Sequence, residues 1–167
     1  MTGVQTCALP IYFSVPEPTG VVSIITPQNT SLLGLVSVIA PVIAGGNTSV
    51  ILGSYKKPLC SVTFAEVLNS SDAPGGVVNI LTGKVAELVS YFADHMDVNS
   101  VVFCEDDNAT QKMIQEKAAM NLKRVVLYNK INWQTENGQS PYLIMDTQEI
   151  KTTWHPIENI GGAKAGY

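Results

Sequence analysis

Charge is what this sequence has least of. Asp, Glu, Lys and Arg make up 14% of its 167 residues, against about 25% in ordinary soluble domains. So thin a supply implies that part of the surface is covered by another chain or domain. The charge present sums to −4 with no Lys/Arg cluster to offset it, which argues against nucleic acid and anionic membrane as partners, because both select basic patches. Long apolar runs are missing too. The longest, Leu32 to Ala44, is interrupted by Ser37 and Pro41 and falls short of the roughly 20 residues that a bilayer span needs. Three cysteines without metal-like spacing do not make a disulfide framework, so a reducing cytoplasm is the expected compartment. Cys104 ends an expected strand, where it is either a small buried residue or a nucleophile. His95 and His155 stand far apart with no spaced ligand set, so no metal is expected. Trp133 and Trp154 read as packing or interface anchors.

What remains is sized for one domain. The first eleven residues, Met1 to Ile11, have neither the basic start nor the apolar centre of a signal peptide. They resemble a translated sequencing adapter and are set aside, with the natural N-terminus expected upstream. From Gly20 onward strand and helix patterns alternate. Gly20 to Thr26 is a β-branched run bounded by Gly and Pro, a buried strand. Leu32 to Ala44 has helical length and is apolar nearly all round, so it is expected to be covered on several sides, with Pro41 kinking or breaking it. Gly45-Gly46 ends it, and Thr48 to Leu52 is the next strand. Pro58 opens a helix that ends near Asn69. Strand 77–81 follows the turn Ala73-Pro74-Gly75-Gly76, then a helix over 85–94 with Val85, Leu88, Val89 and Phe92 on one face. Strand 100–104, helix 108–120 and strand 124–128 complete the series. Single helices between strands imply right-handed crossovers, hence a doubly wound, Rossmann-like α/β fold with a parallel sheet over 12–130.

After Tyr128 the alternation stops. A polar loop over 132–140 is followed by two extended stretches, 142–145 and 149–155, expected to form a β-ribbon arm within a segment 131–158. The tail 159–167 is expected to be disordered.

Several segments together resemble the coenzyme-binding domain of the aldehyde dehydrogenase superfamily. Glu17-Pro18-Thr19-Gly20-Val21-Val22 resembles its E-P-x-G-V-V segment, and Pro27-Gln28-Asn29 its P-W-N, with Gln for Trp. Ile39-Ala40-Pro41, Ala44-Gly45-Gly46-Asn47-Thr48 and the run from Pro74 to Gly83 follow in order. The resemblance implies a coenzyme site at Pro27, Gln28, Asn29, Leu52, Ser54, Tyr55, Gly83, Glu105 and Asp106. It also gives Asn29 the place of a donor to the oxyanion formed when a cysteine attacks an aldehyde, a role worth roughly 3–4 kcal/mol in the transition state. The residue-level alternative makes Asn29 a turn or helix N-cap residue.

The chemistry departs from that pattern. Leu52 and Tyr55 replace the lysine and glutamate that hold the adenosine ribose, and neither side chain reproduces their bonds. Lys56 and Lys57 are either solvated or in reach of a phosphate. Where the family has a glycine-rich phosphate turn, this chain has Cys104-Glu105-Asp106-Asp107. Without glycines the backbone cannot approach closely, and the carboxylates repel phosphate while suiting the positive end of a following helix. Tyr128 replaces the general-base glutamate, and no G-Q-x-C segment is present. Glu149-Ile150-Lys151-Thr152-Thr153 resembles the family's oligomerisation strand, as though a catalytic domain were deleted before it. The likeness extends to the non-catalytic second domain of two-domain aldehyde dehydrogenases.

Two readings follow. In the first, no cofactor is bound. The chain is then a structural module whose arm, Glu149 to His155, joins a homo-oligomer or a catalytic aldehyde dehydrogenase domain. In the second, it is the nucleotide-binding part of an NAD- or NADP-dependent aldehyde dehydrogenase.

Overall fold

The structure, a computed structural model, describes residues 11–155. Residues 1–10 of the leader and the tail 159–167 lie outside them; Ile11, set aside as the last residue of the leader, is instead the first residue of a strand. The chain divides into two units, Glu17–Glu149 and a second that contains 11–16 and 150–155.

In the larger unit, β2 (Val21–Ile25), β3 (Thr48–Leu52), β4 (Val78–Leu81), β5 (Ser100–Phe103) and β6 (Arg124–Leu127) form one sheet in the order β4-β3-β2-β5-β6. Every neighbouring pair is parallel. Helices α1 (Leu32–Ala44), α2 (Pro58–Asn69), α3 (Val85–Asp94) and α4 (Asn108–Met120) join the strands. All four residues of β5 are buried, as a central strand covered on both faces requires. The pleat divides the core in two. Val22, Ile24, Ile51 and Val102 pack against Leu35, Val38 and Ile39 of α1. Ile25, Leu52, Val101 and Phe103 face Val89 and Phe92 of α3 and Ile114 of α4. The expected doubly wound α/β architecture is therefore present, with the expected strands and helices.

The local differences have physical causes. Helix α1 runs unbroken through Pro41. The proline sits in the last turn, and its own carbonyl still accepts from the Gly45 N–H at 3.1 Å. The expected cover on several sides of α1 is partial, with Leu35, Val38, Ile39 and Val42 buried and Leu32, Leu33 and Ile43 exposed. Gly46 ends it in the left-handed conformation, φ +84°, which Gly adopts without a Cβ penalty. Over 132–147 the chain is not simply loop and strand: it forms 3-10 turns at Glu136–Gln139 and Pro141–Thr147. Pro141 suits a first helical position, and the Ser140 hydroxyl accepts from the Tyr142 N–H at 3.3 Å. The second extended stretch is present as β7 (Gln148–His155), but its partner is β1 (Ile11–Pro18), not 142–145. In the smaller unit the hydroxyls of Ser14 and Thr152 are hydrogen-bonded at 2.7 Å. Trp133 is buried and Trp154 exposed. No helix among the described residues is long and apolar enough to cross a membrane.

Candidate functional site

The strand register puts Leu81, Leu52, Ile25, Phe103 and Leu127 in one row at the carboxyl ends of the sheet. Strand order runs outward from β2 through β3 to β4 on one side, and through β5 to β6 on the other. The winding thus reverses between β2 and β5, where ligands of open α/β sheets bind. A cleft of about 440 Å³ opens there, lined among others by Pro27, Asn29, Cys104, Glu105, Lys130 and Trp133.

Gln28 organises the crevice beside that cleft. It is buried, yet all four of its polar groups are paired. Its N–H donates to Glu105 Oε1 at 2.5 Å, and its carbonyl accepts from Ser54 Oγ at 2.9 Å. The side-chain Oε1 accepts from the Tyr55 N–H at 2.8 Å, while Nε2 donates to the Thr26 carbonyl at 3.0 Å. One residue, through its backbone and its side chain together, therefore joins the segments that follow β2, β3 and β5. Burying an amide is tolerable only on such terms.

The three consecutive carboxylates do not act alike. Glu105 turns back to Gln28, and its carbonyl accepts from Gln111 Nε2 at 3.0 Å. Asp106 pairs with Lys130 at 3.3 Å. Only Asp107 caps α4, accepting from the Ala109 N–H at 3.1 Å and from the Thr110 hydroxyl. The Thr110 bond, ahead of the backbone bonds, holds its carboxyl below the ordinary carboxylate range. The expectation that all the acids serve the helix terminus thus holds for one of them. Lys130 has φ +57°, a conformation in which a non-glycine residue is strained by roughly 1–2 kcal/mol.

Under the cleft, Cys104 is buried, and burial, ahead of the neighbouring Glu105 charge, pushes its thiol well up. That favours the small buried residue over the nucleophile. Tyr128 is also buried, edge-on to Trp133 with ring centroids 5.7 Å apart. Its hydroxyl donates to Asp146 Oδ2 at 2.7 Å. Burial first and this bond second push the phenol far above its ordinary value of 10.0.

The other expected positions are dispersed. Asn29 is exposed on the cleft lining, and its carbonyl accepts from Lys57 Nζ at 3.1 Å. The N-cap of α1 is Ser31, so Asn29 is not the cap. Nor is Lys57 simply solvated. Leu52 is fully buried in the core under α3, not in the cleft, and Ser54 is spent on Gln28. Tyr55 is an exposed residue that contributes its backbone N–H. Gly83 lies against α3, where a Cβ would come within 2.7 Å of Leu88 Cδ1. Among the described residues no group of three or more His, Cys, Asp or Glu side chains is placed to hold a metal.

The profile of the aldehyde dehydrogenase family matches residues 6–154. The chain belongs to the aldehyde dehydrogenase family. It is 33% identical over 138 residues to aldehyde dehydrogenase family 2 member C4 of Arabidopsis thaliana, covering 83% of this chain and 26% of that one. To the chloroplastic betaine aldehyde dehydrogenase of Beta vulgaris it is 34% identical, covering 80% and 25%. Among solved structures it is similar to aldehyde dehydrogenase C of Pseudomonas syringae in complex with NAD+ and octanal. The TM-score is 0.67 at 30% identity, over 71% of this chain and 24% of that one. The aldehyde dehydrogenase of Bartonella henselae gives 0.64 at 30% identity, over 76% and 26%. This aldehyde dehydrogenase-family chain thus spans about a quarter of the length of the relatives it matches.

Sequence reasoning placed the family motifs in order and named Gln28 as a site position, but missed the role of Gln28 in tying the segments together and missed Asp146 and Gln111 altogether. That role of Gln28 could have been suspected, because a glutamine replacing an aromatic residue must find partners for a donor and an acceptor. Asp146 and Gln111 carried no local signal.

Proposed function

We propose that this aldehyde dehydrogenase-family chain is a non-catalytic structural module. Its arm, Glu149 to His155, joins a second copy or a catalytic aldehyde dehydrogenase domain in a reducing cytoplasm. One observation carries the reading: the ionisable groups beneath the cleft are held in unreactive states. The Cys104 thiol is pushed up by burial, and the Tyr128 phenol is committed to Asp146. Neither can serve as nucleophile or base near neutral pH.

The residues at the switch point also fit a dinucleotide poorly. Leu52 presents no donor to a ribose, being buried in the core. The Gln28 N–H already holds a carboxylate, and Glu105 and Asp106 line the cleft. A carboxylate about 5 Å from a phosphate charge costs roughly 3 kcal/mol at an effective dielectric near 20. For the arm, the support is its place in the two-stranded β1–β7 sheet, a pairing of the kind that strand addition extends.

The alternative is the nucleotide-binding part of an active NAD- or NADP-dependent aldehyde dehydrogenase. It is favoured by the exposed Asn29 on the cleft lining and by the likeness to a structure in complex with NAD+. Calorimetric titration with NAD and with NADP separates the two. Micromolar binding establishes the alternative; no heat up to millimolar ligand leaves the structural reading standing. For the arm, deleting Glu149 to His155 is expected to abolish co-elution with a catalytic aldehyde dehydrogenase domain or self-association. Assembly that survives the deletion removes the arm as the contact.

A further inference from the structure

The crevice between the β2 and β5 segments is where an open α/β sheet offers backbone donors to an anionic ligand. Here the Gln28 N–H on its β2 side points at the Glu105 carboxylate on its β5 side, 2.5 Å away. Glu105 is held from behind as well. Gln111, itself buried, donates from Nε2 to the Glu105 carbonyl at 3.0 Å and to Asn129 Oδ1 at 2.7 Å. On the other side Gln28 is fixed to the β3 segment by its bonds with Ser54 and Tyr55. Gln28 is therefore braced by the segment that follows β3, and Glu105 by Gln111 of α4, which is itself bonded to Asn129 beyond β6.

We infer that the Gln28–Glu105 contact is a built-in closure of the crevice, in which Glu105 acts as the resident anion and excludes phosphate-bearing ligands. The inference rests on the structural-module reading and adds what enforces it. A charge-assisted bond to a backbone N–H is among the stronger hydrogen bonds, and this one is shielded by the burial of Gln28. An incoming phosphate would have to displace a carboxylate tethered on the same chain, against its full effective concentration.

The test uses the full chain carrying Glu105→Ala, with Glu105→Gln as the isosteric variant that keeps an acceptor and removes the charge. Amide exchange at Gln28 and Tyr55 is followed, and inorganic pyrophosphate and NAD are titrated in parallel. In Glu105→Ala the Gln28 amide should exchange roughly ten- to a hundredfold faster, the equivalent of one charge-assisted hydrogen bond. Pyrophosphate should bind at least about tenfold more tightly than to the unaltered chain, with Glu105→Gln in between. Should Glu105→Ala fail to fold, the Glu105→Gln comparison carries the same two readouts. Unchanged exchange and unchanged pyrophosphate affinity overturn the closure; if NAD still fails to bind the unaltered chain, the structural-module reading survives that result. Tight NAD binding by the unaltered chain overturns that reading. The closure would then stand only if pyrophosphate affinity still rises in the variants.

Discussion

The hydroxyl of Tyr128, at the end of β6, donates to the carboxylate of Asp146 at 2.7 Å, fastening the 3-10 segment Pro141–Thr147 to the sheet. Burial and this bond oppose ionisation of the phenol in the folded chain, whereas the unfolded phenol ionises near its ordinary 10.0. A group whose folded pKa is raised gives stability that is complete below the unfolded value and is lost as pH climbs above it. Stability should therefore fall above pH 10 by about 1.4 kcal/mol per pH unit for this one group. Cys104 adds a decline in the same direction from near its ordinary 9.0. Thermal unfolding between pH 8 and 11 checks this. Tyr128→Phe should cost about 1–3 kcal/mol at neutral pH and flatten the alkaline decline.

Asn47 joins the end of α1 to the segment before β7. Its Oδ1 accepts from the Gly20 N–H at 2.9 Å, and its Nδ2 donates to the carbonyls of Val42 and Thr147 at 3.2 and 3.0 Å. The residue is buried. Asn47→Ala should destabilise by about 2–4 kcal/mol, because it orphans several backbone groups away from water. Asn47→Asp should not rescue it, since a carboxylate has no hydrogens to donate. Denaturant unfolding of both variants gives the answer, and a loss below 1 kcal/mol would count against the arrangement.

Gly53 and Ser61 touch where α2 crosses the end of β3. A Cβ on Gly53 would lie 2.4 Å from Ser61 Oγ and 2.9 Å from its Cβ. Gly53→Ala should cost about 1–3 kcal/mol through overpacking. The Ser61 hydroxyl is buried without a hydrogen-bond partner among the described residues, so Ser61→Ala should be neutral or stabilising by up to about 1 kcal/mol. Combining the two should reveal coupling, the glycine substitution costing less once the nearest atom is gone. Purely additive effects would show that the two do not meet.

Lys123 is a buried amine whose Nζ donates to the carbonyls of His95 and, at 3.1 Å, Val98. Burial lowers its pKa, with Asp94 and Asp97 opposing. Lys123→Met should cost about 2 kcal/mol at neutral pH by leaving both carbonyls unpaired. The unfolded lysine holds its proton more firmly than the folded one, so this group favours the fold increasingly as pH approaches 10.5. Removing it should therefore steepen the alkaline decline that Tyr128 and Cys104 produce. A shallower decline in the variant would contradict the shift.

Most of the fold was legible because it is written in local patterns. The β-branched runs of β2, β3 and β5, Gly45-Gly46 after α1 and Pro58 at the start of α2 report on neighbours in sequence, and the chain obeys them. β1 escaped because its first residue, Ile11, is set aside with the leader, and because its strand is completed by residues far along the chain. The stretch 142–145 misled because apolar residues after Pro141 suit a 3-10 turn as well as a strand.

The sequence by itself determined the doubly wound sheet and the aldehyde dehydrogenase ancestry of the chain, since strand-helix alternation and ordered motifs survive scattered substitution. Only the tertiary structure decided where each carboxylate of the β5 segment goes. Gln28 and Glu105 are 77 positions apart, and Asn47 and Thr147 are 100 apart. Nothing local selects such partners. They are chosen when parallel strands set their ends level and buried polar atoms must find one another.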